Sequence, residues 1–163
     1  MLDGDKGWGL DIEITEGALL DDSVWTLRTL RVLRSAGVCV AIDDFGTGYS
    51  SLSRLSQLPV DTLKIDRSFT SRLPDDAGGC TLVVTSIGLA RAFGMITVAE
   101  GVETCAQLEF LWNAGCNETQ GYLHSRPISA PELELLVTQN SGVLSLPSLS
   151  ADDGFAARVG ADS

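Results

Sequence analysis

The sequence predicts an α/β fold in which parallel strands alternate with crossover helices. Three observations carry that expectation. From Leu10 to about Val137, short strand-like runs alternate with longer stretches of helical periodicity. Glycines stand where helices should stop. Acidic residues gather where the strands should end. Strand and helix in regular alternation imply parallel pairing through right-handed connections.

The elements follow in order. "LDIEI" (10–14) is the first strand candidate, and Val24, Leu27, Leu30 and Leu33 then recur at near-helical spacing until Gly37. "VCVAI" (38–42) and "DTLKI" (61–65) supply the next two strands. Leu82, Val83, Ile87, Ala90 and Phe93 repeat the helical pattern before Gly94, and "MITVA" (95–99) is the fourth strand. "TCAQ" at 104–107 fits a capping box, so a helix should start at Thr104 and end near Gly115. A short fifth strand is expected within 115–123. After Thr138 the composition turns to Ser, Gly, Ala and Asp, which predicts a flexible tail over 138–163. Residues 1–9 read as a lead-in, and 10–137 as the patterned domain.

Composition narrows the function. With 163 residues, one domain with a sizeable core is expected. A net charge of −11 argues against DNA or RNA binding, which needs a basic surface, and against contact with anionic membranes. The cysteines at 39, 80, 105 and 116 form no Cys-x-x-Cys pair, so reduced thiols are expected rather than a zinc site. The opening "MLDGDKGWGL" lacks a basic start and an apolar run. The expected location is the cytoplasm, alone or as the cytoplasmic part of a longer membrane-anchored protein.

The acidic residues are more informative. With Lys64 among them, they stand at the C-terminal ends of the strands: Glu13 and Glu16 close the first, Asp43 and Asp44 the second, Lys64 and Asp66 the third, and Glu100 and Glu103 the fourth. Gln120 lies in the last short segment. In parallel α/β folds, strand C-termini converge on the ligand-binding face. Hard divalent cations such as Mg²⁺ or Mn²⁺ prefer carboxylate oxygens, and a pair of them can clamp a phosphodiester. Asp43 and Asp44 can meet one ligand only if the strand ends between them and turns, which Gly46 and Gly48 permit. Structural alternatives stand beside these readings. Glu16 could serve a helix dipole, Lys64–Asp66 could be a salt bridge, Glu103 could cap the next helix, and the lone His124 is expected to be structural.

"DIEITEGALL", "AIDDFGTGYSSLSRLSQLPVDTLKIDRSF", "TVAEGVET" and "QGYLHSRPI" together resemble the successive motifs of the bacterial EAL domain. The resemblance covers about 10–137 and implies a modified TIM (β/α) barrel that hydrolyses cyclic di-GMP to linear pGpG at a two-metal Mg²⁺ or Mn²⁺ site. It implies that Glu13, Asp43, Asp44 and Glu100 are metal ligands. Lys64 would hold or activate the attacking water, Asp66 would be its acidic companion, and Glu100 is a further candidate base. Glu16 would anchor the loop containing Gly46, Thr47 and Gly48, and Gln120 would face the substrate. A homodimer through residues 44–51 is also implied.

The family's Glu-Ala-Leu motif has no match in this sequence. Four or five strands make about half of an eight-stranded barrel. The expectation is therefore a truncated domain with impaired hydrolysis. The alternative is a catalytically inactive EAL-like module acting by dinucleotide binding or protein–protein interaction.

Overall fold

A computed structural model describes residues 11–15, 17, 24–46 and 55–139. Its elements run β1 (Asp11–Thr15), α1 (Val24–Ser35), β2 (Cys39–Phe45), β3 (Thr62–Ile65), α2 (Arg67–Thr70), α3 (Ala77–Ala92), β4 (Ile96–Ala99), α4 (Cys105–Ala114), β5 (Glu118–Thr119) and α5 (Ala130–Gln139). The strands form one sheet in the order β1-β2-β3-β4-β5, and every pairing is parallel. This is the α/β, partly barrel-like arrangement that strand–helix alternation predicts.

Register decides which residues share a face. Ile14 pairs with Ile42, Ile42 with Leu63, Leu63 with Thr97 and Ile65 with Ala99. Side chains at paired positions of parallel strands point the same way. On this side Val40, Ile42, Leu63, Ile65 and Ala99 are buried against Leu30 of α1, Val83, Ile87 and Ala90 of α3, and Leu108 and Leu111 of α4. The other face carries Glu13, Ala41, Thr62, Lys64, Ile96 and Val98. Burying each large aliphatic side chain on the helix side contributes about 2 kcal/mol.

The helices keep their expected places with some changes of face. In α3 the buried positions Val83, Ile87 and Ala90 follow i, i+4, i+7 spacing. Leu82 and Phe93, counted in that stripe from sequence, lie off this face and are exposed. The capping box at Thr104–Gln107 forms as expected, and α4 ends on Gly115 in a left-handed conformation. Asp76 caps α3 through Gly78 N–H.

Three further features have local causes. Strand β2 does not end between Asp43 and Asp44 but continues through Phe45, and the turn is replaced by a bulge. β5 is short and lies within 115–123 as expected, and just before it the Asn117 side chain takes a place in the ladder: its Oδ1 accepts from Thr97 N–H at 2.9 Å, while Asn117 N–H donates to Thr97 Oγ1 at 3.1 Å. Finally, α5 extends to Gln139, past the start expected for the tail. This helix is not among the elements expected above; at its start Ser129 N–H and Oγ both donate to Glu132 Oε2, and Pro131 stands in the first turn. Residues 140–163 lie outside the described residues.

All four cysteines are free thiols. Among the described residues no helix is long and apolar enough to cross a membrane.

Candidate active site

Lys64 is the centre of the site. Its neighbours on β3, Leu63 and Ile65, point into the helix-covered core, so alternation sends Lys64 to the opposite face. There its ammonium lies 2.6 Å from Glu13 Oε1, 2.6 Å from Glu100 Oε1 and 3.1 Å from Asp43 Oδ1. One side chain thus ties β1, β2 and the end of β4 to β3. Three carboxylates lie within ion-pair distance of one ammonium. Only 7% of Lys64 is exposed. Burial lowers its pKa, but the close carboxylates of Glu100, Glu13 and Asp43 outweigh that and hold it above the ordinary lysine range. The partner is not Asp66, the neighbour that a local salt bridge would have used.

The bulge in β2 solves the problem of two adjacent aspartates. From Ile42 to Phe45 the strand takes three steps while β3 takes two, from Leu63 to Ile65. Asp44 absorbs the extra residue with φ 54°, a left-handed conformation that costs most residues on the order of 1 kcal/mol and that aspartate tolerates best. With alternation broken, carboxylate oxygens of Asp43, Asp44 and Glu100 all lie within 4.8 Å of one another. Glu13 is outside that trio and joins the site through Lys64. It sits in the middle of β1 rather than at its end.

Short elements around the mouth hold these groups. Glu100 N–H donates to Ile65 O at 3.0 Å, and the Thr70 hydroxyl donates to Glu100 O. Asp66 is the N-cap of α2: its side chain accepts from Ser68 N–H at 3.0 Å, which holds its carboxyl below the usual range. Glu103, expected to cap α4, instead pairs with Arg67 at 2.6 Å, and the cap belongs to Thr104 and Gln107. Buried Gln107 accepts from Glu103 and Thr104 N–H and donates to Ser71 O at 3.4 Å, joining α4 to the end of α2.

Gln120 follows β5 at the same level of the sheet as Glu100. Its backbone N–H donates to Ala99 O at 2.8 Å and its carbonyl accepts from Val102 N–H at 3.0 Å. Its exposed side chain helps line an open pocket of about 420 Å³, with Tyr122, His124, Arg126, Ile128 and Leu133. Gly121 lets this segment press on Val102, because any Cβ there would collide with the Val102 backbone. His124 Nε2 shares a 2.8 Å hydrogen bond with Thr119 Oγ1 at the end of β5. Glu16, Thr47 and Gly48 lie outside the described residues; Gly46 is described, with φ 97°.

The residues present fit a divalent cation. Four formal carboxylates face one ammonium, leaving negative charge in excess. Asp43 Oδ1 is buried, and Lys64 approaches it at ion-pair distance without hydrogen-bond geometry. A buried carboxylate oxygen without a hydrogen bond is costly unless a cation completes it. Three carboxylates within 4.8 Å of one another supply hard oxygen donors of the type Mg²⁺ and Mn²⁺ take.

A family model for the EAL domain matches residues 3–127. MucR of Pseudomonas aeruginosa, a bifunctional diguanylate cyclase/cyclic di-GMP phosphodiesterase, is 46% identical over 124 residues, covering 76% of this chain and 18% of MucR. The solved MucR phosphodiesterase in complex with c-di-GMP matches with a TM-score of 0.72, covering 76% of this chain and 50% of that one. The EAL domain of Mycobacterium smegmatis DcpA is 50% identical with a TM-score of 0.74, covering 79% of this chain and 58% of that one. Klebsiella pneumoniae BlrP1, in a complex with manganese and cyclic di-GMP, is 35% identical with a TM-score of 0.66, over 72% of this chain and 30% of that one. The chain spans 16–18% of the length of the first curated relatives it matches. On both its residues and its fold, the chain belongs to the EAL domain family.

Proposed function

We propose that this chain carries the carboxylate–lysine half of a phosphodiesterase site that hydrolyses cyclic di-GMP to linear pGpG with Mg²⁺ or Mn²⁺. The observation that carries this reading is the Lys64 ammonium held among Glu13, Asp43 and Glu100, with Asp44 completing the acidic trio. The likeness to MucR solved with c-di-GMP and to BlrP1 solved with manganese and cyclic di-GMP supports it.

Asp43, Asp44 and Glu100 would hold the cations. When bound, divalent cations supply Lewis-acid stabilisation of a phosphodiester and make water acidic enough to attack near neutral pH. The chain's own groups prepare the place. Lys64 keeps Glu13, Asp43 and Glu100 converged despite their mutual repulsion. As a fully engaged ammonium it orients and donates; it does not accept a proton in this arrangement. The proton-accepting role therefore falls to a carboxylate, with Glu100 the best supported because its backbone is fixed on both sides.

The test is incubation of the purified chain with cyclic di-GMP, with and without Mn²⁺, followed by chromatography of the nucleotides. Slow, metal-dependent appearance of pGpG is the expected result. Saturable dinucleotide binding with no product at saturating Mn²⁺ would instead favour the non-catalytic module. Neither binding nor turnover would defeat both readings.

A further inference from the structure

Two consecutive residues of α2 touch the two backbone segments that carry the acidic trio. Phe69 lies against the turn after Asp43 and Asp44: a Cβ on Gly46 would stand 3.0 Å from Phe69 Cε2 and crowd the ring, and the φ of 97° there also favours glycine. Thr70, which is completely buried, donates its hydroxyl to the Glu100 carbonyl. Between these contacts the helix is only four residues long. It is held at its start by the Asp66 cap and at its end by Gln107 through Ser71 O. Arg67 adds a third tie: it pairs with Glu103, and its side chain lies where any Cβ on Gly101 would be.

We infer that the Phe69–Thr70 pair is a positioning element that sets the separation between the Asp43–Asp44 bulge and Glu100, and so the cation affinity of the site. The inference rests on the proposed metal-dependent function. The argument is geometric. The strand ladder fixes Ile65 against Ala99 and holds Glu100 N–H on Ile65 O, but Asp44 lies in the β2 bulge and Glu100 one residue past the last paired position, so the ladder alone does not set their spacing. A rigid turn that packs on one segment and hydrogen-bonds the other does. Partners that orient ligand groups in this way are worth about 10- to 100-fold in metal affinity. Neither residue touches the reacting groups; both act through the backbone of residues that do.

Thr70→Val preserves shape and removes the hydroxyl, whereas Thr70→Ser retains it. Mn²⁺ binding by calorimetry and the metal-free carboxyl ¹³C resonances of Glu100, Asp43 and Glu132 are to be compared with the unaltered chain. For Thr70→Val, the expected results are Mn²⁺ binding weaker by about tenfold, a moved Glu100 resonance, an unmoved Glu132 resonance, and recovery of both quantities in Thr70→Ser. Phe69→Leu gives a second arm, in which the Asp43 resonance should move more than that of Glu100. An unmoved Glu100 resonance in a folded Thr70→Val chain would overturn the inference, as would equal Mn²⁺ affinity in a chain that binds the ion. If the unaltered chain binds no Mn²⁺, the metal reading of the site fails, while the carboxyl resonances still decide the positioning role.

Discussion

On β3, Leu63 and Ile65 vanish into the helix-covered core, while Lys64 between them reaches three carboxylates on the opposite face. The same four-residue strand therefore serves two regions with opposed energetics. On the helix side, taking Leu63 out of water is itself stabilising. On the mouth side, taking an ammonium out of water is costly and is offset only by its carboxylate partners. The surplus negative charge there does nothing for stability. What the comparison teaches is that strand alternation lets a fold place an electrostatically unfavourable cluster directly behind its core without mixing the two.

The sharpest way to break this comparison is on the core side. Leu63→Ala should cost about 3 kcal/mol of stability, because the site is fully buried and cannot collapse easily. Urea denaturation followed by circular dichroism measures it, and a loss below about 1 kcal/mol would place the core elsewhere.

On the mouth side, Asp43→Asn should leave the fold intact and weaken Mn²⁺ binding by at least about 100-fold, more than loss of a mere supporting partner. Calorimetric titration reads this directly. Retained affinity would remove Asp43 from the ligand set.

The smallest effect is expected where the two regions meet. Asp66→Ala should cost about 1 kcal/mol through loss of the α2 cap, and Asp66→Asn much less. Because the Ser68 hydrogen bond depresses the Asp66 pKa in the folded chain, its contribution is complete above the ordinary aspartate range. It is lost as pH falls through the lower, folded-state value. The acid limb of the stability curve should therefore flatten in Asp66→Asn below about pH 4. If instead Asp66→Asn abolished turnover while melting normally, Asp66 would act on substrate and not only as a cap.

How much was legible beforehand differs between these regions. Short runs with apolar residues at alternate positions marked β1 to β4 to within a few residues, since the side chains that face the helices recur at every second position of a strand. Thr104 and Gln107 announced α4 because a capping box is a purely local signal. The candidacy of Glu13, Asp43, Asp44, Lys64 and Glu100 was also visible, as polar residues at the ends of apolar runs. Their partnership was not. Nothing local links Lys64 to Glu13, 51 positions away, in preference to Asp66, two positions away. The Asp44 bulge was equally hidden, because an extra residue in a strand is defined only against its neighbour's register.

The sequence by itself determined the α/β class, the order of strands and helices, and the pool of acidic groups. These depend on hydrophobic period and on capping and stop residues a few positions apart. The tertiary structure alone decided that Lys64 would hold three carboxylates, that Asp43, Asp44 and Glu100 would converge, and that a four-residue turn would touch both sides of that cluster. Those outcomes depend on parallel register and on one bulge. Both are set by contacts between segments distant along the chain, which no local pattern encodes.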